Sequence, residues 1–183
     1  ADHFDRRLRG GSMIIIGEKI NGAIPSIKQA IAEKNEALII ERTLAQANAG
    51  ANFLDCAPST ATEIEYETMV WLIGLMQGAT NVPLCIDSPN AKLLARVIEE
   101  GHLNKPGMVN SVNEEGDKCE TIFPLIAGTP WEVVGLTCDQ EGIPADPAKK
   151  VEIAKRIIDK AVRYGVSLNQ LHIDPCVMAL ATM

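Results

Sequence analysis

The chain has 183 residues, 46% hydrophobic and 22% charged, with a formal net charge of −7 and a sequence pI near 5.0. That length and apolar content support one globular domain with a sizeable core. The acidic balance argues against a sequence-independent grip on nucleic acid or anionic lipid, and no apolar run reaches the roughly 20 residues that span a bilayer.

Residues 1–12 (ADHFDRRLRGGS) are polar and end in Gly-Gly-Ser, just before a Met that opens an apolar run. They read as a leader left by cloning and are set aside from fold reasoning. The first residues are charged and Met13–Ile16 is too short for a signal-peptide core, so a cytoplasmic protein is expected. The domain is taken as 13–183.

Met13–Gly17 is apolar and β-branched, the pattern of a buried strand, with Glu18–Gly22 as its exit loop. Ile24–Glu33 and Glu36–Ala49 follow as helices, the second with Leu38, Ile40, Leu44, Ala45 and Ala47 on its apolar side and Gly50 as its stop. Asn52–Asp55 is the second strand and Glu63–Gln77 a strongly apolar helix. Leu84–Ile86 is the third strand. Ser88 and Pro89 are read as opening its helix, Asn90–Glu100. Gly107–Asn110 is the fourth strand, before a helix near Asp117–Ala127. Glu132–Leu136 is the fifth, with a long loop, Thr137–Ala145. Asp146 caps and Pro147 starts the helix to Tyr164, striped by Val151, Ala154, Ile157, Ile158, Ala161 and Val162. Leu171–Ile173 is the sixth strand.

Six strands alternating with helices are the pattern of βαβ units. A doubly wound open sheet and a (β/α)8 barrel both fit. Several strands end in a polar residue: Asp55, Asp87, Asn110 and Asp174. That favours the barrel, where all strand ends meet at one mouth. No G-x-G-x-x-G and no P-loop is present. A complete barrel has eight strands in about 250 residues. The fold class is therefore α/β, a TIM barrel of about six βα units, incomplete after strand six. The intact polypeptide is expected to continue past Met183.

The five cysteines, Cys56, Cys85, Cys119, Cys138 and Cys176, form no C-x-x-C pair and read as small hydrophobes. Cys56 and Cys176 follow strand-end Asp residues and are candidates to line the site without reacting. His3 lies in the leader, His102 is expected to be exposed, and His172 to be packed or hydrogen-bonded within strand six. No zinc or iron ligand spacing and no Gly-x-Ser-x-Gly elbow occur, so no bound metal and no covalent nucleophile are expected.

Asp87, Asn110 and Asp174 are the sharpest candidates. A carboxylate accepts two parallel N–H bonds from an amidine-like edge, and an amide both donates and accepts. Together they suit a polar heterocycle such as a pterin. The competing reading is that each caps a following helix. Glu18, Asn21 and Asp55 are read as hydrogen-bonding groups deep in the mouth, or as partners in structural ion pairs with Lys19 or an Arg.

Ile16-Gly17-Glu18-Lys19-Ile20-Asn21-Gly22 resembles the first-strand signature of the methyltetrahydrofolate:corrinoid-protein methyltransferases, relatives of the folate domain of cobalamin-dependent methionine synthase. Leu84-Cys85-Ile86-Asp87-Ser88, Val109-Asn110-Ser111, Gly135-Leu136-Thr137, Gly142-Ile143-Pro144 and Ile173-Asp174-Pro175 are similar to that family too. The resemblance covers Met13 to Met183. It implies a pterin-binding barrel, usually a homodimer, in which Asp87, Asn110 and Asp174 hold the pterin edge with Glu18, Asn21 and Asp55 nearby. It implies transfer of the N5 methyl group between methyltetrahydrofolate and the cobalt of a cobalamin on a separate corrinoid protein. Co(I) is a strong nucleophile and a tertiary amine a poor leaving group, so hydrogen bonding to N5 lowers the barrier. The family uses an Asn after strand seven there, so the catalytic group is expected beyond Met183. The chain carries no Asp-x-His-x-x-Gly cobalamin motif, so the corrinoid is expected on another polypeptide. The alternatives are a dihydropteroate synthase-like enzyme, whose Asn-Val-Thr-Pro-Asp-type loop is absent, and a folate-binding module without catalysis.

Overall fold

A computed structural model describes residues 13–177; the leader and the last residues of the sequence lie outside the described residues. Six parallel strands stand side by side in chain order: β1 (Ile16–Gly17), β2 (Phe53–Cys56), β3 (Leu84–Asp87), β4 (Met108–Glu114), β5 (Glu132–Asp139) and β6 (Leu171–Asp174). The helices are α1 (Pro25–Ala32), α2 (Glu36–Asn48), α3 (Thr62–Ala79), α4 (Ala91–Glu99), α5 (Lys118–Ile126) and α6 (Pro147–Tyr164). With every neighbour parallel and sequential, the sheet curls into an incomplete (β/α) barrel.

Alternation along the strands separates two faces. Leu54, Cys56, Leu84, Ile86, Val109 and Val133 join the large core beneath the helices. Phe53, Cys85 and Met108, with Ile16 and Val134, form a smaller cluster on the opposite, concave face. Asp55, Asp87 and Asn110 share the parity of that concave face.

α6 forms as its ends require. Asp146 Oδ1 accepts the Ala148 N–H at 2.9 Å, Pro147 opens the helix, and Gly165 closes it at φ 80°. Its buried stripe is Ile153, Ile157 and Ala161, while Val151 and Val162 are exposed. In α2 the buried residues are Ile39 and Thr43, and Leu44 points outward. Thr43 is tolerated there because its hydroxyl donates to the Ile39 carbonyl at 2.8 Å.

Four further expectations are corrected. β1 is short, and Met13 and Ile15 are exposed, because β1 is an edge of the described sheet. β4 and β5 run further than their apolar segments. Beyond Asn110 the β4–β5 register shifts twice, and the polar residues find tertiary partners. Asn113 Nδ2 donates to Cys138 Sγ at 3.2 Å, and Glu114 pairs with Lys160 at 2.9 Å and Arg156 at 3.0 Å. His102 is half-buried, with Nε2 2.8 Å from the Tyr66 hydroxyl. Cys56, Cys85 and Cys119 are buried as small hydrophobes. Cys56 packs under the helices and so does not line the mouth. Among the described residues no helix is long and apolar enough to cross a membrane.

Candidate functional site

Register places the candidate residues in layers on the concave face. Asp87 pairs with Asn110, and that row continues through Val134 to His172. Asp55 lies one layer deeper, level with Cys85, Met108 and Glu132. Asp174, level with Leu136, stands one layer nearer the strand ends and is exposed. The Asn110–Ser111 peptide bond is cis.

Asp87 and Asn110 are half-buried. Neither Asp87 nor Ser88 caps α4. That role belongs to Asn90, whose Oδ1 accepts from the Lys92 and Leu93 N–H groups at 3.2 Å each. Ser88 does different work. Its hydroxyl donates to Glu65 Oε1 at 2.5 Å and accepts from the Asn90 N–H at 3.0 Å, while its backbone N–H donates to the Asn110 carbonyl at 3.0 Å.

The site is acidic. Asp55 is 2% exposed, and its Oδ1 has no hydrogen-bond partner among the described residues. Burial, then the charges of Asp87 and Glu18, push its carboxyl up to about 8, against a hydrogen bond from the Cys85 thiol. Asp87 is pushed up to about 6 by burial, then by Glu18 and Glu65. The charges acting on it are both negative. Asp55 is therefore uncharged at neutral pH, and Asp87 titrates just below it. Such a mouth favours a ligand that offers N–H donors.

Glu18 is exposed on the β1 exit loop, close enough for its charge to act on both acids. Asn21 is held by pairing between exit loops. It bridges to Ala57, the Gly22 N–H donates to the Ala57 carbonyl at 2.9 Å, and Ala57 donates to Ile20 at 3.1 Å. Asn21 Oδ1 accepts from the Ala23 N–H at 2.8 Å and the Ser59 hydroxyl at 3.2 Å. Only glycine fits at 22, because a Cβ would lie 2.0 Å from the Pro58 carbonyl oxygen. Asp174 Oδ1 accepts the Cys176 N–H at 2.7 Å, and Lys150 Nζ donates to the Pro175 and Cys176 carbonyls at 2.9 Å each. The next turn is thus pinned from α6. His172 on β6 is hydrogen-bonded across to β5, its Nε2 2.5 Å from Glu132 Oε2.

The structure thus gathers Glu18, Asp55, Asp87 and Asn110, sets Asp174 on the same face toward the rim, and turns the Asn21 side-chain oxygen into its own loop. Sequence reasoning missed Glu65 and Lys150. Glu65 carried a signal: it falls on the buried stripe of α3 with Met69, Leu72 and Met76, where an acid is out of place. Lys150 carried none, because its partners are backbone carbonyls.

The chain is 49% identical over 172 residues to a methylcorrinoid:tetrahydrofolate methyltransferase of Eubacterium limosum, covering 93% of this chain and 63% of that protein. It is 30% identical over 178 residues to a methionine synthase of Mycobacterium tuberculosis, covering 93% of this chain and 15% of that one. The chain therefore spans less than two thirds of the length of either relative. Its fold is similar to the dihydropteroate synthase of Xanthomonas albilineans solved with 7,8-dihydropteroate. The TM-score is 0.62 and the identity 21%, covering 89% of this chain and 58% of that one. The family model described as pterin binding enzyme matches residues 23–182. With that match spanning most of its length, the chain belongs to the pterin-binding enzyme family.

Proposed function

We propose that this chain forms the pterin-holding part of a methyltransferase. The enzyme moves the N5 methyl group between methyltetrahydrofolate and the cobalt of a cobalamin carried by a separate corrinoid protein. The observation that carries the reading is the Asp87–Asn110 row on an acidic concave face. A pterin edge offers ring N–H, an amino group and a carbonyl, which an ionised carboxylate and an amide complement. The 49% identity to a methylcorrinoid:tetrahydrofolate methyltransferase supports the choice of reaction.

In this reading Asp87, Asn110 and Asp174 hold the pterin edge. Glu18 and Asn21 border it, and the uncharged Asp55 supplies a proton or an oxygen beneath it. The corrinoid cobalt, when its partner docks, supplies the electron pair that takes the methyl carbon, and N5 keeps the pair of the broken C–N bond. A hydrogen-bonding group at N5 would ease departure of the amine. The working protein is proposed to be a cytoplasmic homodimer that leaves its mouth open to the corrinoid protein.

The test is anaerobic. Full-length polypeptide, methyltetrahydrofolate and a reduced corrinoid protein are mixed, and the Co(I) absorbance is followed. Decay faster than the enzyme-free control supports methyl transfer. No acceleration with several corrinoid proteins and free cobalamin reduces the reading to a folate-binding module.

A further inference from the structure

We infer that Glu65 is a positioning residue for the pterin site, fixing through Ser88 the end of β3 that carries Asp87 and its pairing with Asn110 on β4. The inference rests on the pterin reading above. Glu65 sits in the first turn of α3 and is 6% exposed; Ser88 is 2% exposed. A buried carboxylate is costly unless hydrogen-bonded, and an apolar residue would serve the α3 stripe better as packing. The Ser88 hydroxyl satisfies Glu65 at 2.5 Å. That one hydroxyl also accepts from Asn90, and the Ser88 N–H reaches Asn110. One buried contact from α3 therefore fixes the β3 exit, the α4 cap and the end of the Asp87–Asn110 row.

The same geometry gives Glu65 an electrostatic effect on Asp87. The titratable groups around Asp87 are Glu18 from the β1 exit loop, Asp55 and Cys56 from β2, Cys85 from its own strand and Glu65 from α3. Burial and Glu18 act on Asp87 more strongly than Glu65 does. Removing the Glu65 charge therefore lowers the Asp87 midpoint without returning it to the ordinary carboxylate value. That shift reports the reach of the Glu65 charge, and the affinities of Glu65→Ala and Ser88→Ala report the positioning through the Ser88 hydroxyl.

The experiment compares wild type, Glu65→Gln, Glu65→Ala and Ser88→Ala. Carbon-13 NMR of the ligand-free full chain follows the Asp87 carboxyl, assigned by its loss in Asp87→Asn. Calorimetry at pH 8 measures the affinity for 5-methyltetrahydrofolate. The expected result is a lower Asp87 midpoint in Glu65→Gln, with affinity weakened at most about threefold because the amide oxygen still accepts from Ser88. Glu65→Ala and Ser88→Ala are expected to weaken binding about tenfold. An unmoved midpoint in Glu65→Gln overturns the electrostatic part, and wild-type affinity in folded Glu65→Ala and Ser88→Ala overturns the positioning role; either leaves the pterin reading standing. Absence of binding by wild type itself overturns the pterin reading, and the inference with it.

Discussion

The backbone N–H of Ser88 donates to the carbonyl of Asn110 at 3.0 Å. This bond carries the β3–β4 ladder one residue past Asp87. The spacing between Asp87 and Asn110 is therefore held by main chain, and the Ser88 hydroxyl bonded to Glu65 fixes where that main chain ends. A ligand edge that meets both residues meets a preformed pair, so little ordering is needed on binding.

Asp55 makes the ligand-free protein lose stability as pH rises from about 4 to about 8. Its folded-state value of about 8 lies above the ordinary 3.8. Between those values the unfolded chain ionises this group and the folded chain does not. Stability therefore falls as pH rises through that window, by up to about 1.4 kcal/mol per pH unit for one such group. Asp87 adds to the fall between 3.8 and about 6. Urea unfolding at stepped pH checks this. Asp55→Asn should flatten most of the slope, and an unchanged slope would contradict the assignment of Asp55 as a buried neutral acid.

Gly22→Ala should destabilise the protein by about 1–3 kcal/mol. The added Cβ would lie 2.0 Å from the Pro58 carbonyl oxygen, so one of the two exit loops must shift. Thermal unfolding measures the loss. A midpoint equal to wild type would mean that the two loops separate freely.

Much of the fold was legible because parallel strands announce themselves as short apolar runs such as Leu84–Ile86 and Leu171–Ile173. Helix ends were legible where a cap is local, as at Asp146-Pro147 and Gly165. Burial of Met13–Ile15 was not, because it depends on which strands stand beside β1. The outer halves of β4 and β5 were hidden by polar residues whose partners, Cys138 and Lys160, come from elsewhere in the chain. In the site, the place of Asp87 at the end of its strand could be read directly, whereas β4 runs on past Asn110 to Glu114. The task of Ser88 could not, because a serine before Pro fits a cap as well as a buried contact, and Glu65 on α3 decides between them.

Lys150→Met should weaken folate binding by about 1 kcal/mol, with Lys150→Arg recovering part of it. The side chain holds the Pro175 and Cys176 carbonyls and so steadies the turn in which Asp174 accepts from Cys176. Amide hydrogen exchange at Cys176 gives an independent readout and should speed up in Lys150→Met. Unchanged exchange and unchanged affinity would mean that the turn holds itself.

Calorimetric titration of 5-methyltetrahydrofolate into wild type and Asp87→Asn, across pH 5 to 8, tests the pterin site most directly. Wild-type affinity should rise as pH passes about 6, where the Asp87 carboxylate ionises and becomes the acceptor for the pterin donors. Asp87→Asn should lose about 1.5–3 kcal/mol at pH 8 and lose the dependence on pH. Equal affinity for the two proteins, or a wild-type curve flat through pH 6, would contradict a pterin edge held by the Asp87 carboxylate.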